Sequence, residues 1–195
     1  MTIPSLTLND GLVLPAIGLG TYKLTGQDGV DSIVSALHAG YRLIDSATLY
    51  GNEVEVGTAI VESGIPREEI IVTTKLPGSG FDETMAAFEA SRRALKLDVI
   101  DLYLIHWPNP SVNRYLDSWE AMVELQQDGV ARSIGVCNFT EEFLGRIIDA
   151  TGVVPSVNQI ELHPYFPQTQ MRAVHAQLGI QTESWSPLGK DDKIR

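Results

Sequence analysis

A single cysteine, Cys137, stands in 195 residues. No internal disulfide can form, and such sparse thiol use fits a reducing cytosol, so a cytoplasmic location is expected. Basic residues are scarce: 14 Lys and Arg face 25 Asp and Glu, a formal net charge of −11. That balance argues against a nucleic-acid partner, because phosphate contacts need clustered cations. It fits a solvated acidic surface, and it leaves room for a polyphosphate cofactor, which helix amino termini and backbone N–H groups can hold. No run approaches the ~20 apolar residues of a bilayer span. The first residues also lack the basic-then-apolar pattern of a secretion signal, so no membrane partner is expected. Hydrophobic residues make up 44%, enough for one core and one domain over residues 1–195.

At the start, the residues from Ser5 to Pro15 alternate apolar and polar around Asp10-Gly11. That dipeptide favours a φ > 0 turn and predicts a tight β-hairpin ahead of the main fold. Strand-like runs follow at Ile17–Thr21, Arg42–Asp45, Ile70–Lys75, Ile100–His106, Ser133–Cys137, Ser156–Leu162 and Gln181–Trp185. The stretches between them carry helical spacing. Val30, Ile33, Val34, Leu37 and His38 form one stripe; Val54, Val56, Ile60 and Val61 a looser one; Ala87, Ala90, Ala94 and Leu97 a third. Trp119, Met122, Val123 and Gln126, then Phe143, Leu144, Ile147 and Ile148, continue the series.

Strand–helix alternation at roughly 25 to 30 residues per unit predicts parallel βαβ units in one α/β barrel. Closure of a (β/α)8 TIM barrel needs eight strands and typically ~250 residues, while the strand-like runs here stop at the seventh. The tail Lys190–Arg195 is polar and has no strand character. The expectation is a barrel domain lacking its eighth strand and carboxyl-terminal segment.

Three consecutive strand ends carry proton-handling groups. The run Tyr41–Tyr50 delivers Asp45 and Tyr50, the next delivers Lys75, and the apolar run Val99–Ile105 delivers His106 beside Trp107. Barrel chemistry sits at the carboxyl ends of strands. Phenol has a pKa near ~10, and a neighbouring ammonium favours the phenolate. Lys75 can supply that charge, Asp45 can anchor Lys75, and His106 can hydrogen-bond a carbonyl oxygen or relay a proton to it. Each residue alone reads as packing, a solvated lysine or a turn aspartate. Their joint placement on successive strands is what points to protonation of a C=O oxygen. The histidines His38, His106, His163 and His175 fall on separate elements without ligand-pair spacing, so no metal is expected. Gly18-x-Gly20-x-x-Lys23 lacks the third glycine of a dinucleotide-fold turn and reads as the first barrel strand.

These blocks, together with Gly18–Tyr22, Asp45–Glu53, Thr74-Lys75, Asp101–Pro108, Ile134–Phe139, Asn158–Pro164 and Trp185–Gly189, resemble the aldo-keto reductase superfamily, most closely its bacterial 2,5-diketogluconate reductase-like branch. The resemblance implies a (β/α)8 barrel, a nicotinamide cofactor (usually NADPH, with NADH the alternative) and reduction of small-molecule aldehydes or ketones to alcohols. It implies Tyr50 as proton donor, Lys75 as the group lowering its pKa, Asp45 as the partner of Lys75, and His106 as the group orienting the substrate carbonyl. Asn138 and Gln159 would hold the nicotinamide carboxamide, and Trp185 would stack on the ring. Ser186, Leu188 and Gly189 would cradle pyrophosphate, Gly20 and Thr21 would lie near the cofactor, and Tyr22 and Trp107 would line the substrate pocket. Many members of the family are monomers, which implies the same here. Cys137 replaces the serine common in the family, which softens one cofactor contact because a thiol is a weaker donor. The alternative reading is a cofactor-binding or regulatory barrel with weak or no turnover.

Overall fold

The computed structural model describes residues 3–78 and 80–189. The predicted tail Lys190–Arg195 lies outside them. A hairpin of β1 (Ser5–Thr7) and β2 (Val13–Pro15) opens the chain. Then come β3 (Leu19–Gly20), α1 (Gly26–His38), β4 (Leu43–Asp45), α2 (Glu53–Glu62), β5 (Ile71–Leu76) and α3 (Phe81–Leu95). The series continues with β6 (Ile100–Ile105), α4 (Tyr115–Gln127), β7 (Ala131–Cys137), α5 (Glu141–Thr151), β8 (Val157–Glu161), α6 (Thr169–Leu178) and β9 (Gln181–Trp185). Strands β3 to β9 pair in chain order, all parallel, with a helix in every crossover. This is the α/β TIM-barrel pattern, with every strand ending at one rim.

The sheet is curled. Gln159 on β8 reaches Asp45 on β4 at 2.8 Å. In a flat sheet four strand spacings would separate them by roughly 19 Å. Curling divides the core in two. Outside the sheet, Ile44, Val72, Tyr103, Ile105, Ile134 and Val136 meet the helices. Inside, Leu43, Ile71, Leu102, Leu104, Cys137 and Val157 meet Leu8 and Leu14 of the hairpin, which stoppers the amino-terminal end. The period of two then dictates which later residues face inward. From Leu43 it is Asp45; from Ile71, Lys75; from Leu104, His106; from Val157, Gln159.

The hairpin turn differs from the tight type expected. Leu8 N–H donates to the Leu12 carbonyl and Gly11 N–H to that of Leu8, and Gly11 alone takes positive φ (+92°). A three-residue loop with a glycine bulge satisfies the same Asp-Gly signal.

The helix stripes require three corrections, the first being His38 of α1, which is exposed and sets its Nε2 against the Ser63 carbonyl at 3.0 Å. On α3 the buried face is Thr84, Phe88, Ser91 and Leu95, whereas Ala90 is exposed and Leu97 follows the helix. Volume decides it: Phe88 and Leu95 bury far more apolar area than the alanines. The two polar members are satisfied, Thr84 by the Gly80 carbonyl and Ser91 by Thr48. On α2, Val56 and Ile60 are buried as expected, but Val54 and Val61 are exposed. Their places against the core are taken by Glu53, Gly57 and Ala59.

Candidate active site

A cavity of about 770 Å³ runs between β3 and β9, from the hairpin residues Leu14 and Pro15 up to the carboxyl-terminal rim. Asp45, Tyr50, His106, Cys137, Gln159 and Glu183 are among the residues lining it. Asp45 ends β4 and Lys75 lies on β5, and the Lys75 Nζ donates to Asp45 Oδ1 at 2.5 Å and to the Ser46 carbonyl at 2.8 Å. Lys75 has no exposed surface. Burial works against its charge, but the fields of Asp45, Cys137 and Tyr50 and the Asp45 hydrogen bond outweigh it, so its pKa lies above the ordinary value.

Tyr50 closes a short 3-10 turn, Thr48–Tyr50, ended by Gly51 at φ +67°, a conformation that favours glycine. Thr48 pins the turn by donating to the Lys75 carbonyl at 3.1 Å. Asn52 pins the next segment, donating to the carbonyls of Thr21 and Leu24 and accepting from Ser46. The Tyr50 ring sits 5.1 Å from the Lys75 ammonium, 5.9 Å from the His106 ring and 5.2 Å from that of Tyr22. Burial raises the Tyr50 pKa; the Lys75 charge lowers it and is outweighed. The expected lowering by Lys75 is therefore present, but it is a correction to burial and does not set the net direction.

His106 is half-buried, and its buried Nδ1 has no partner among the described residues. Burial, with Lys75 adding repulsion, lowers its pKa to about 4. At neutral pH the ring is uncharged and carries one N–H. Trp107 beside it is 53% exposed and Tyr22 59%, and both line the mouth.

A second constellation lies alongside. Asn138 follows β7 at φ +62°, a conformation that asparagine tolerates better than most residues. Its N–H donates to the Gln159 carbonyl, its Nδ2 to the His106 carbonyl at 3.2 Å, and its Oδ1 accepts from the Trp185 indole at 2.8 Å. Gln159 Nε2 donates to Asp45 Oδ2 at 2.8 Å and to Glu183 Oε1 at 3.0 Å. The result is an aromatic face with amide groups along one edge, which fits a flat aromatic carboxamide. Ser186 at φ +48° and Gly189 at φ +81° turn the chain just past β9, and Gly189 N–H bonds the Ser186 carbonyl. Ser186 lines the cavity, whereas Leu188 is 77% exposed and points away from the protein body.

Gly20 lines the cavity. Thr21 is fully buried, and its hydroxyl and N–H are both committed to the Asp45 carbonyl, so its side chain belongs to the wall behind the cavity. Glu183 was missed in the sequence. It sits opposite Gln159 in the β8–β9 register, and burial, with Asp45 adding repulsion, raises its pKa to about 7. The available signal was parity: Glu183 lies two residues before Trp185 on the same face.

The fold and this cluster define a class: an α/β barrel with a buried lysine–carboxylate pair, a phenol and a neutral imidazole around one rim cavity. The profile of the Aldo/keto reductase family matches residues 16–191. The 2,5-diketo-D-gluconic acid reductase B of Corynebacterium sp. (strain SHS752001) is 53% identical over 194 residues, 98% of this chain and 70% of that protein. An aldo-keto reductase of Mycolicibacterium smegmatis is 52% identical over 189 residues, 96% of this chain and 69% of that one. A crystal structure of an aldo/keto reductase from Brucella melitensis superposes with a TM-score of 0.93 at 45% identity, covering 98% of this chain and 76% of that one. A variant of Gox0644, crystallised in complex with NADPH, gives 0.93 at 45% identity, covering 98% and 70%. The chain belongs to the aldo/keto reductase family, and so to the oxidoreductases.

Proposed function

We propose that this chain reduces small-molecule aldehydes or ketones to alcohols with NADPH, and that Tyr50 donates the proton. The observation that carries the reading is the meeting of Asp45, Tyr50, Lys75 and His106 around one cavity, beside the amide-edged shelf of Asn138, Gln159 and Trp185. NADPH is supported by the NADPH and NADP named in the solved relatives and by the fit of that shelf to a carboxamide-bearing ring. When bound, the cofactor supplies a hydride.

The residues supply the rest. Tyr50 holds its proton at neutral pH, as its raised pKa requires of an acid. As negative charge grows on the carbonyl oxygen, that proton moves to it, and the permanent Lys75 ammonium stabilises the phenolate left behind. Asp45 keeps the ammonium in place. His106, neutral, donates a hydrogen bond to the same oxygen without competing for the proton. The apolar faces of Tyr22 and Trp107 at the mouth cover the substrate and exclude water. Ser186, Leu188 and Gly189 would hold the cofactor's pyrophosphate through their backbone, and Gly20, which lines the cavity, would lie near the cofactor. The single domain, a cytoplasmic location and a monomeric state belong to the same proposal.

The test is loss of NADPH absorbance on adding methylglyoxal or phenylglyoxal, compared with Tyr50→Phe. The variant is expected to lose about 10²- to 10⁴-fold in kcat with NADP⁺ affinity unchanged. Near-normal turnover in the variant assigns the proton to another group. Cofactor binding by the wild type without turnover on any carbonyl favours the non-catalytic barrel.

A further inference from the structure

Glu183 is a buried carboxyl that the chemistry above does not use. Its strand β9 is half-exposed along its length, yet Oε2 is covered and without a partner among the described residues. Its other oxygen accepts from Gln159, whose Nε2 simultaneously donates to Asp45. Both N–H groups of the amide are thereby committed to carboxyl oxygens, and the described residues offer no donor to its amide oxygen. A glutamine held in this way presents that oxygen, and no other group, to a ligand amide.

We propose that Glu183 is a positioning residue that locks the Gln159 amide in this orientation while ionised and loosens it on taking up a proton, so that nicotinamide binding is pH-dependent. This rests on the NADPH reading above. The groups facing Glu183 are Asp45 from β4, Lys75 from β5, Cys137 from β7 and Gln159 from β8. Asp45 opposes its ionisation and Lys75 favours it, while burial works against the charge most strongly of all. Cys137 is itself raised well above its ordinary value by burial and stays a thiol. Held this way, Glu183 changes charge around neutrality. Ionised, it gives Gln159 a charge-assisted acceptor; protonated, its O–H can turn to the amide oxygen and compete with the ligand.

The experiment is an NADP⁺ titration of the wild-type chain, read by tryptophan quenching, from two units below neutrality to two above. The companion protein is Glu183→Gln, with its fold checked by far-ultraviolet circular dichroism. Comparing the two curves cancels the titration of the ligand's own phosphate. The wild type is expected to bind roughly 5-fold more weakly on the acid side, and the variant to stay near that weaker level throughout. The same inflection in both proteins overturns the proposal, as does a wild-type affinity that differs from the variant's by a constant factor at every pH. Failure of the wild type to bind NADP⁺ at any pH removes the NADPH reading, and this inference with it. Binding with no acid-side weakening removes this inference alone.

Discussion

Lys75 keeps a charge where no water reaches it, and among the described residues Asp45 and the Ser46 carbonyl are its hydrogen-bond partners. Removing one member of such a pair leaves the other as an uncompensated buried charge, at about 3–5 kcal/mol. Lys75→Met is expected to lower stability by that amount in urea denaturation and to abolish reduction. Lys75→Met/Asp45→Asn is expected to recover part of the stability and none of the activity, because the cost sits in the orphaned carboxylate. Full additivity of the two single losses would show that the pair is not coupled. Asp45, Lys75 and His106 were legible because a strand end is a predictable place and their chemistry is explicit. The state of Tyr50 was not, since its pKa depends on how deeply a half-buried phenol sits, and no spacing carries that. Glu183 reads as one more polar residue in a polar strand; only the curl that brings Asp45 within reach of Gln159 makes it part of a cluster.

At the scale of elements, strand position followed from apolar runs to within a residue or two, and inward parity followed from the period of two. Helix phase was less legible. The alanine stripe of α3 obeyed helical spacing and yet lost to Phe88 and Leu95, because spacing ignores volume and hydrogen-bonded polar residues can share a buried face. The α2–α3 contact depends on an absent side chain. A Cβ at Gly57 would lie 2.5 Å from the Leu95 carbonyl oxygen, backbone that has no flexible end to move. Gly57→Ala is therefore expected to push the helices apart and cost about 1–3 kcal/mol. Denaturant midpoints check this, with KM for cofactor and carbonyl expected near wild type, since Gly57 lines no part of the cavity. An unchanged midpoint would mean that the two helices already stand further apart.

Across the whole molecule, strand order and the curl into a barrel were both legible from seven unbroken strand–helix units, whereas which side chains the curl brings into contact was not, because that is a sum of small twists recorded in no single residue. Acid sensitivity is a property at this scale. His106 and His175 both titrate at about 4 in the fold, chiefly through burial, against 6.5 in an open chain. His175 is held between Asn158 and Thr182. Between those values the unfolded chain binds protons at these two histidines that the folded one refuses, so their contribution to stability is complete above 6.5 and is lost as pH falls toward 4, with Glu183, raised to about 7, offsetting part of the loss. Thermal melts are expected to show this slope, reduced in His175→Gln; an identical slope in that variant would assign the loss to other groups. The three tryptophans divide the protein in another way. Trp119 is sealed in the core against Thr151, Trp107 stands in solvent at the mouth, and Trp185 borders the cavity. The fold thus carries its own set of optical reporters, one insulated, one wet and one facing any arriving guest, so the colour of its emission distinguishes an occupied centre from a loosened shell without any attached dye.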